Sequence, residues 1–181
     1  MSANSGAQTS RLDSFLSRAV AFLAIIAIPA GLFGYFSSHH VKRVETAFEL
    51  YKAFKSSPTQ DHWMLLMRRW NEKAAEADAL LGANDQQGLL RLTRSIVSDE
   101  QGLAAFEGIA SFFDGLSACV DSNLCDRNTA AAMLKHSAHE FVGAFGSYII
   151  DVRQTHKNST YCSGLFKINA LEKRFNLFEW L

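Results

Sequence analysis

Proline is nearly absent from this chain, with two in 181 residues, whereas Ala, Leu and Phe are plentiful and Phe alone occurs 14 times. That balance favours helices over a strand-and-turn architecture. No alternating strand pattern of useful length, internal repeat or low-complexity tract is present beyond the polar first ten residues. Charge of one sign is lacking too: Lys+Arg and Asp+Glu both number 18, for a formal net charge of zero. A nucleic-acid partner is excluded, because phosphate neutralisation needs a basic surplus. The sequence has no Gly-rich phosphate loop, no G-x-S-x-G elbow and no dinucleotide fingerprint, so no catalytic residue and no cofactor is predicted.

One long uncharged run stands out. Residues 19–41 contain no Asp, Glu, Lys or Arg, and the apolar stretch FLSRAVAFLAIIAIPAGLFGYF matches the roughly 20 residues that a helix needs to cross a bilayer. It exceeds the apolar region of a cleaved signal peptide. Arg18 can reach back to the headgroups, and Tyr35, Phe36 and the polar pairs Ser37-Ser38 and His39-His40 suit an interfacial exit. Ala27 with Gly31, and Ala30 with Gly34, are small residues four apart that would let a second membrane helix approach closely. The lipid bilayer is therefore one predicted partner, and other membrane subunits or a second copy are another.

Three cysteines are present. Cys119 and Cys125 frame a short polar loop, CVDSNLC, between two helical patterns, and a disulfide is predicted there, against the alternative of two reduced, buried thiols. Their spacing does not fit a zinc knuckle and no second pair follows, so no metal site is predicted. A disulfide implies an oxidising compartment. Basic residues are more numerous after the apolar run (Lys42, Arg43, Lys52, Lys55) than before it (Arg11, Arg18), which argues for a cytoplasmic domain. Long domains translocate largely regardless of charge, so the cysteines decide for the periplasmic side, with the cytoplasm as the alternative.

The remainder reads as successive amphipathic helices. One continues from the apolar run with Val41, Val44, Phe48 and Tyr51 on a stripe, and Ser57-Pro58 ends it. A second, capped by Thr59 or Asp61, runs from Trp63 through Leu66, Met67, Trp70, Ala74 and Ala77 to Leu81. Leu89, Leu92, Ile96 and Val97 mark a third; Ser98 and Asp99 start a fourth, with Phe106, Ile109, Ala110, Phe113 and Leu116 in register. Asp126 caps a fifth, through Met133, Leu134, Phe141, Phe145, Tyr148 and Val152. A C-terminal stripe holds Leu165, Ile168, Leu171, Phe175, Phe178 and Trp180. So much apolar surface at a chain end must be covered, either as a last core helix or as a partner-binding segment. The predicted fold is all-α: a polar tail (1–13), one transmembrane helix (14–37), an antiparallel helical-bundle domain (38–160) and an amphipathic terminal segment (161–181).

Two clusters could carry chemistry. His136 and His139 with Glu140 share a helix, but their order differs from zinc-protease motifs and they face away from the apolar stripe. Glu107 and Asp114 lie two turns apart on one face; paired carboxylates can exchange protons, but ion pairs with Arg91 or Arg153 are the simpler expectation. The leading functional expectation is a non-enzymatic, membrane-anchored accessory or scaffold subunit. Two alternatives stand behind it: a sensor or regulatory module binding a ligand between helices, then a metal enzyme using His136 and His139.

The stretch FEGIASFFDGLSACVDSNLCDRNTAAAML, continuing to YIIDVR, resembles a bacterial family of membrane-anchored helical proteins known as domain of unknown function 4760. The similarity lies in an aromatic-plus-acid helix, a turn ending Leu-Cys-Asp, and an Ala-rich helix ending near Ile149 to Arg153. It covers about residues 40 to 155. The resemblance implies a bacterial inner-membrane setting and a helical domain on one anchor. It brings no activity and no site residue.

Overall fold

The structure is a computed structural model that describes residues 37–171; the predicted anchor, apart from Ser37, and the end of the chain lie outside them. The chain divides into two units, Met1–Lys42 and Arg43–Leu181. The described residues are helical throughout and contain no strand. Helix α1 covers residues 37–54, followed by α2 (Thr59–Glu72), α3 (Ala74–Gly82), α4 (Gln86–Val97), α5 (Glu100–Asp121), α6 (Arg127–Thr155) and α7 (Ser163–Asn169).

Three aspartates start the helices. Asp85 accepts from Gly88 N at 2.8 Å, Asp99 from Gly102 N at 2.6 Å and Asp126 from Thr129 N at 2.7 Å. Each satisfies one of the amides that a helix start leaves without an intrahelical partner. The α2 start differs from expectation. Pro58 occupies the cap position without a side-chain bond, and Asp61 instead accepts from Ser57 Oγ at 2.6 Å. The predicted single helix from Trp63 to Leu81 is two. Lys73, at φ −111° and ψ 12°, leaves helical geometry and lets α3 turn away from α2.

The predicted stripes of α4 and α5 are buried, and that of α6 is buried in part, with Met133, Tyr148 and Val152 only partly covered. Leu89, Leu92, Ile96 and Val97 of α4 are in the core, as are Phe106, Ile109, Ala110, Phe113 and Leu116 of α5, and Leu134, Phe141 and Phe145 of α6. On α1 the phase differs. Ala47 and Phe54 are buried, while Val41 and Phe48 are exposed. Apolar residues cover about half of this helix's circumference, so periodicity could set the period but not which edge of that wide face turns inward. Ala47, being small, allows the closer approach.

Helix α5 organises the core. It packs on α2 and α7, and α7 also packs on α6. Among the described residues it is the one helix long and apolar enough to cross a membrane. Its central side chains are instead used inside the domain: Phe106, Ile109, Phe113 and Leu116 are fully buried. The Phe106 ring lies 5.0 Å from Tyr148, 5.4 Å from Phe141 and 5.9 Å from Phe145. Trp63 stacks on Phe141 at 5.9 Å and Trp70 leans on Phe145 at 5.8 Å, which places both tryptophans against the core. Fully burying each such aromatic contributes about 1.5–3 kcal/mol.

Candidate functional site

The polar groups with most chemical potential gather where the turn before α7 meets α5 and α6. Glu107 and Asp114 share one face of α5, two turns apart. Neither meets an arginine. Glu107 Oε1 accepts from the Tyr161 hydroxyl at 2.6 Å, and Asp114 Oδ1 accepts from Gly164 N at 2.6 Å. The expected arginine partners are engaged elsewhere: Arg91 stands 3.8 Å from Asp85, and Arg153 Nε donates to the Tyr161 carbonyl at 2.8 Å. The Arg153 guanidinium also lies over the Phe166 ring, 4.6 Å from its centroid. Residues 161–164 are thus held from both sides, by α5 carboxylates and an α6 arginine.

Cys162 sits in the middle of this seam. Its backbone is left-handed, with φ 54°, and its thiol is buried. Burial pushes the thiol up to about 12, and the charges of Asp114 and Glu107 act in the same direction, with Arg153 opposing them. Burial likewise raises the Tyr161 phenol, reinforced by its bond to the Glu107 carboxylate, and burial raises Tyr148 beside them. A thiol held protonated is a poor nucleophile at neutral pH. Gly164 is required where it is, because an added Cβ would strike the Phe113 carbonyl oxygen and the Asp114 backbone. The arrangement locks α7 onto α5.

Other long-range pairs act similarly. Arg69 reaches Asp99 through two 2.9 Å bonds while donating to the Ile96 carbonyl, so one guanidinium joins α2 to the α4–α5 corner. That pairing holds the Asp99 carboxyl below its ordinary range, aided by Gly102 N. Arg94 bonds Asp151 and Lys167 bonds Asp121, each at 2.6 Å.

The residues singled out by the sequence fall as follows. Cys119 and Cys125 are joined as a disulfide, with Cα atoms 5.2 Å apart, across the α5–α6 corner. Ala27, Ala30, Gly31 and Gly34 lie outside the described residues, as do Phe175, Phe178 and Trp180. Leu165, Ile168 and Leu171 fill the domain's own core and are not available to a partner. His136 is exposed and faces Glu140 at 3.3 Å; His139 Nδ1 is 3.2 Å from Asn169 Oδ1. Among the described residues no three His, Cys, Asp or Glu side chains come together as metal ligands. Sequence reasoning passed over Tyr161, Gly164 and Arg69, and it marked Asp99 only as a helix start. A Gly two residues after a Tyr-Cys pair, just past a polar break, was the available signal for the first two; nothing local marked Arg69 or the pairing that Asp99 makes with it.

Fold and site together define an all-α domain in which carboxylates and arginines fasten helices to one another around a buried thiol. The chain belongs to the family described as Domain of unknown function (DUF4760), whose model matches residues 19–169. The match starts inside the predicted anchor and ends with α7, so it extends beyond the stretch that carried the resemblance at both ends. No curated protein and no solved structure matches the chain.

Proposed function

We propose that this protein is a non-enzymatic, single-pass membrane-anchored accessory or scaffold subunit of the bacterial inner membrane, with its helical domain in the periplasm. The observation that carries the reading is the use of Glu107, Asp114 and Tyr161 as ties between α5 and the start of α7. Groups that could act in catalysis serve cohesion instead. The anchor is supported by the 19–169 family match, which takes in most of the apolar run. The periplasmic placement is supported by the Cys119–Cys125 disulfide.

A surface for a partner is supplied by α2. Met64 is 62% exposed, and with Trp63, Met67 and Arg68 it lines a groove of about 840 Å³. Methionine-rich surfaces adapt to the shape of what they bind. The volume also lies within the range of small-ligand sites, which favours a membrane-tethered ligand-binding regulator as the second reading. Affinity purification from native membranes, with mass spectrometry of co-purifying chains and small molecules, separates the two. Stoichiometric membrane subunits support the scaffold. A protein recovered alone with a bound metabolite supports the regulator, and turnover of that metabolite would remove both.

A further inference from the structure

The α5–α6 corner combines features that no internal contact of the domain explains. Its chain runs Asp121, Ser122, Asn123, Leu124, Cys125, Asp126, Arg127, and the disulfide to Cys119 closes it. Leu124 N and Cys125 N both donate to the Cys119 carbonyl, at 3.0 and 3.1 Å, so the turn is fixed. Leu124 is nevertheless 63% exposed. Exposed leucines are common, but here an apolar side chain is held outward by a covalent staple.

Two arginines flank it. Asp126 N donates to the Arg43 carbonyl at 3.0 Å, which brings α1 to the first turn of α6, where Arg127 stands. The Nε atoms of Arg43 and Arg127 are buried and meet no hydrogen-bond partner among the described residues. Buried polar atoms are normally paired. The acids of the corner are already engaged: Asp126 accepts from Thr129 N and Oγ1, and Asp121 is bonded to Lys167. Among the described residues no carboxylate forms an ion pair with either guanidinium.

We propose that this corner is a lipid-contact site, with Leu124 entering the bilayer interface and Arg43 and Arg127 binding the phosphates of anionic phospholipid headgroups. The proposal rests on the membrane anchor proposed above. Arg43 follows the end of the predicted span (residue 37) by six positions, at most about 20 Å of fully extended chain. The backbone bond from Asp126 to Arg43 ties the corner to a residue only six positions past the predicted span. Guanidinium forks match phosphate oxygens in pairs, and an apolar residue beside basic ones suits the boundary between headgroup and acyl chain. Each arginine near an anionic surface strengthens association about fivefold.

The test uses the full chain in nanodiscs of phosphatidylcholine alone or with phosphatidylglycerol, and follows amide exchange at residues 122–128. Slower exchange on anionic discs is expected. Arg43→Gln with Arg127→Gln should abolish the difference and Leu124→Ser should reduce it, with α5 exchange and the disulfide unchanged as a check on folding. Equal exchange on both discs, with the chain retained in them, overturns the lipid site and leaves the anchor standing. Slowing reproduced on phosphatidylcholine discs by inorganic phosphate assigns the arginines to a soluble anion and overturns the lipid reading. Slowing confined to discs carrying two copies overturns it in favour of self-association. Failure of the chain to enter either disc removes the anchor, and the lipid site with it.

Discussion

Tyr161 donates its phenolic hydrogen to Glu107 Oε1 at 2.6 Å, joining residues 54 positions apart and fixing the approach to α7. Removing the hydroxyl as Tyr161→Phe keeps the ring against Phe106 and deletes the bond. The expected loss is about 1 kcal/mol, the net worth of a hydrogen bond strengthened by a charged acceptor at a site open to water. Thermal unfolding at neutral pH measures it.

The same seam predicts an alkaline limit to stability. The Cys162 thiol is raised from 9.0 to about 12 in the folded state, and the Tyr161 phenol is raised above its ordinary value of 10.0. Above pH 9 the unfolded chain releases protons that the native chain keeps, so stability falls as pH rises. The contribution of the neutral thiol is complete below pH 9 and is lost progressively up to about pH 12. Denaturant midpoints measured from pH 8 to pH 11 should decline, and more shallowly in Cys162→Ala. Parallel profiles for wild type and variant would show that this thiol is not the group involved.

These contacts mark the boundary of what the sequence disclosed. Asp126 was legible as a cap because the side chain and the amide that it serves lie three residues apart. The stripes of α4, α5 and α6 were legible because each has one apolar face. The phase of α1 was not, since Val41, Ala47, Phe48 and Phe54 spread over one wide apolar face and tertiary packing chose the edge of Ala47 and Phe54. The break at Lys73 carries neither Gly nor Pro, so NEKAAEA reads as continuous helix. The partners of Glu107 and Asp114 were invisible for another reason. Tyr161 and Gly164 come from 54 and 50 positions away, and opposite charge favoured arginines that the fold sends elsewhere.

Gly164 offers a sharper probe of the α5–α7 junction. Gly164→Ala places a methyl group against the Phe113 carbonyl oxygen and the Asp114 backbone, neither of which can rotate away. It also threatens the 2.6 Å bond from Gly164 N to Asp114. Overpacking of this kind costs about 1–3 kcal/mol. The upper part of that range is expected, since backbone must move. A midpoint within error of wild type would show that α7 can shift outward freely.

The disulfide predicts a compartment as well as a stability. Protein taken directly from its membrane, denatured without reductant, should leave Cys119 and Cys125 unalkylated while Cys162 reacts. Cys119→Ser with Cys125→Ser should lower stability by about 2 kcal/mol, the chain-entropy value for so small a ring. Three reactive thiols in native material would argue for the cytoplasmic placement.

The anchor is tested at its centre. Ile26→Arg places a charge near the bilayer midplane at a cost of about 2.5–3.5 kcal/mol on insertion scales. The variant should leave the carbonate-resistant membrane fraction in substantial part. Retention at wild-type level would count against residues 14–37 as the single span.

Two truncations divide the C-terminal stripe by role. Leu165, Ile168 and Leu171 are buried, and α7 packs on both α5 and α6. Ending the chain after Ser163 removes all three. Each large-to-small core loss costs about 2–5 kcal/mol, so three together are comparable to the whole stability of a domain this size. The cooperative thermal transition should disappear. Ending the chain after Leu171 keeps that core and removes Phe175, Phe178 and Trp180. Those residues remain the candidates for a partner-binding face, because aromatic side chains dominate the energetics of such contacts. The expected product is folded, membrane-bound and stripped of its co-purifying subunits. If it keeps its fold and its full complement of neighbours, the partner surface lies elsewhere, and the Met64 face of α2 becomes the place to mutate next.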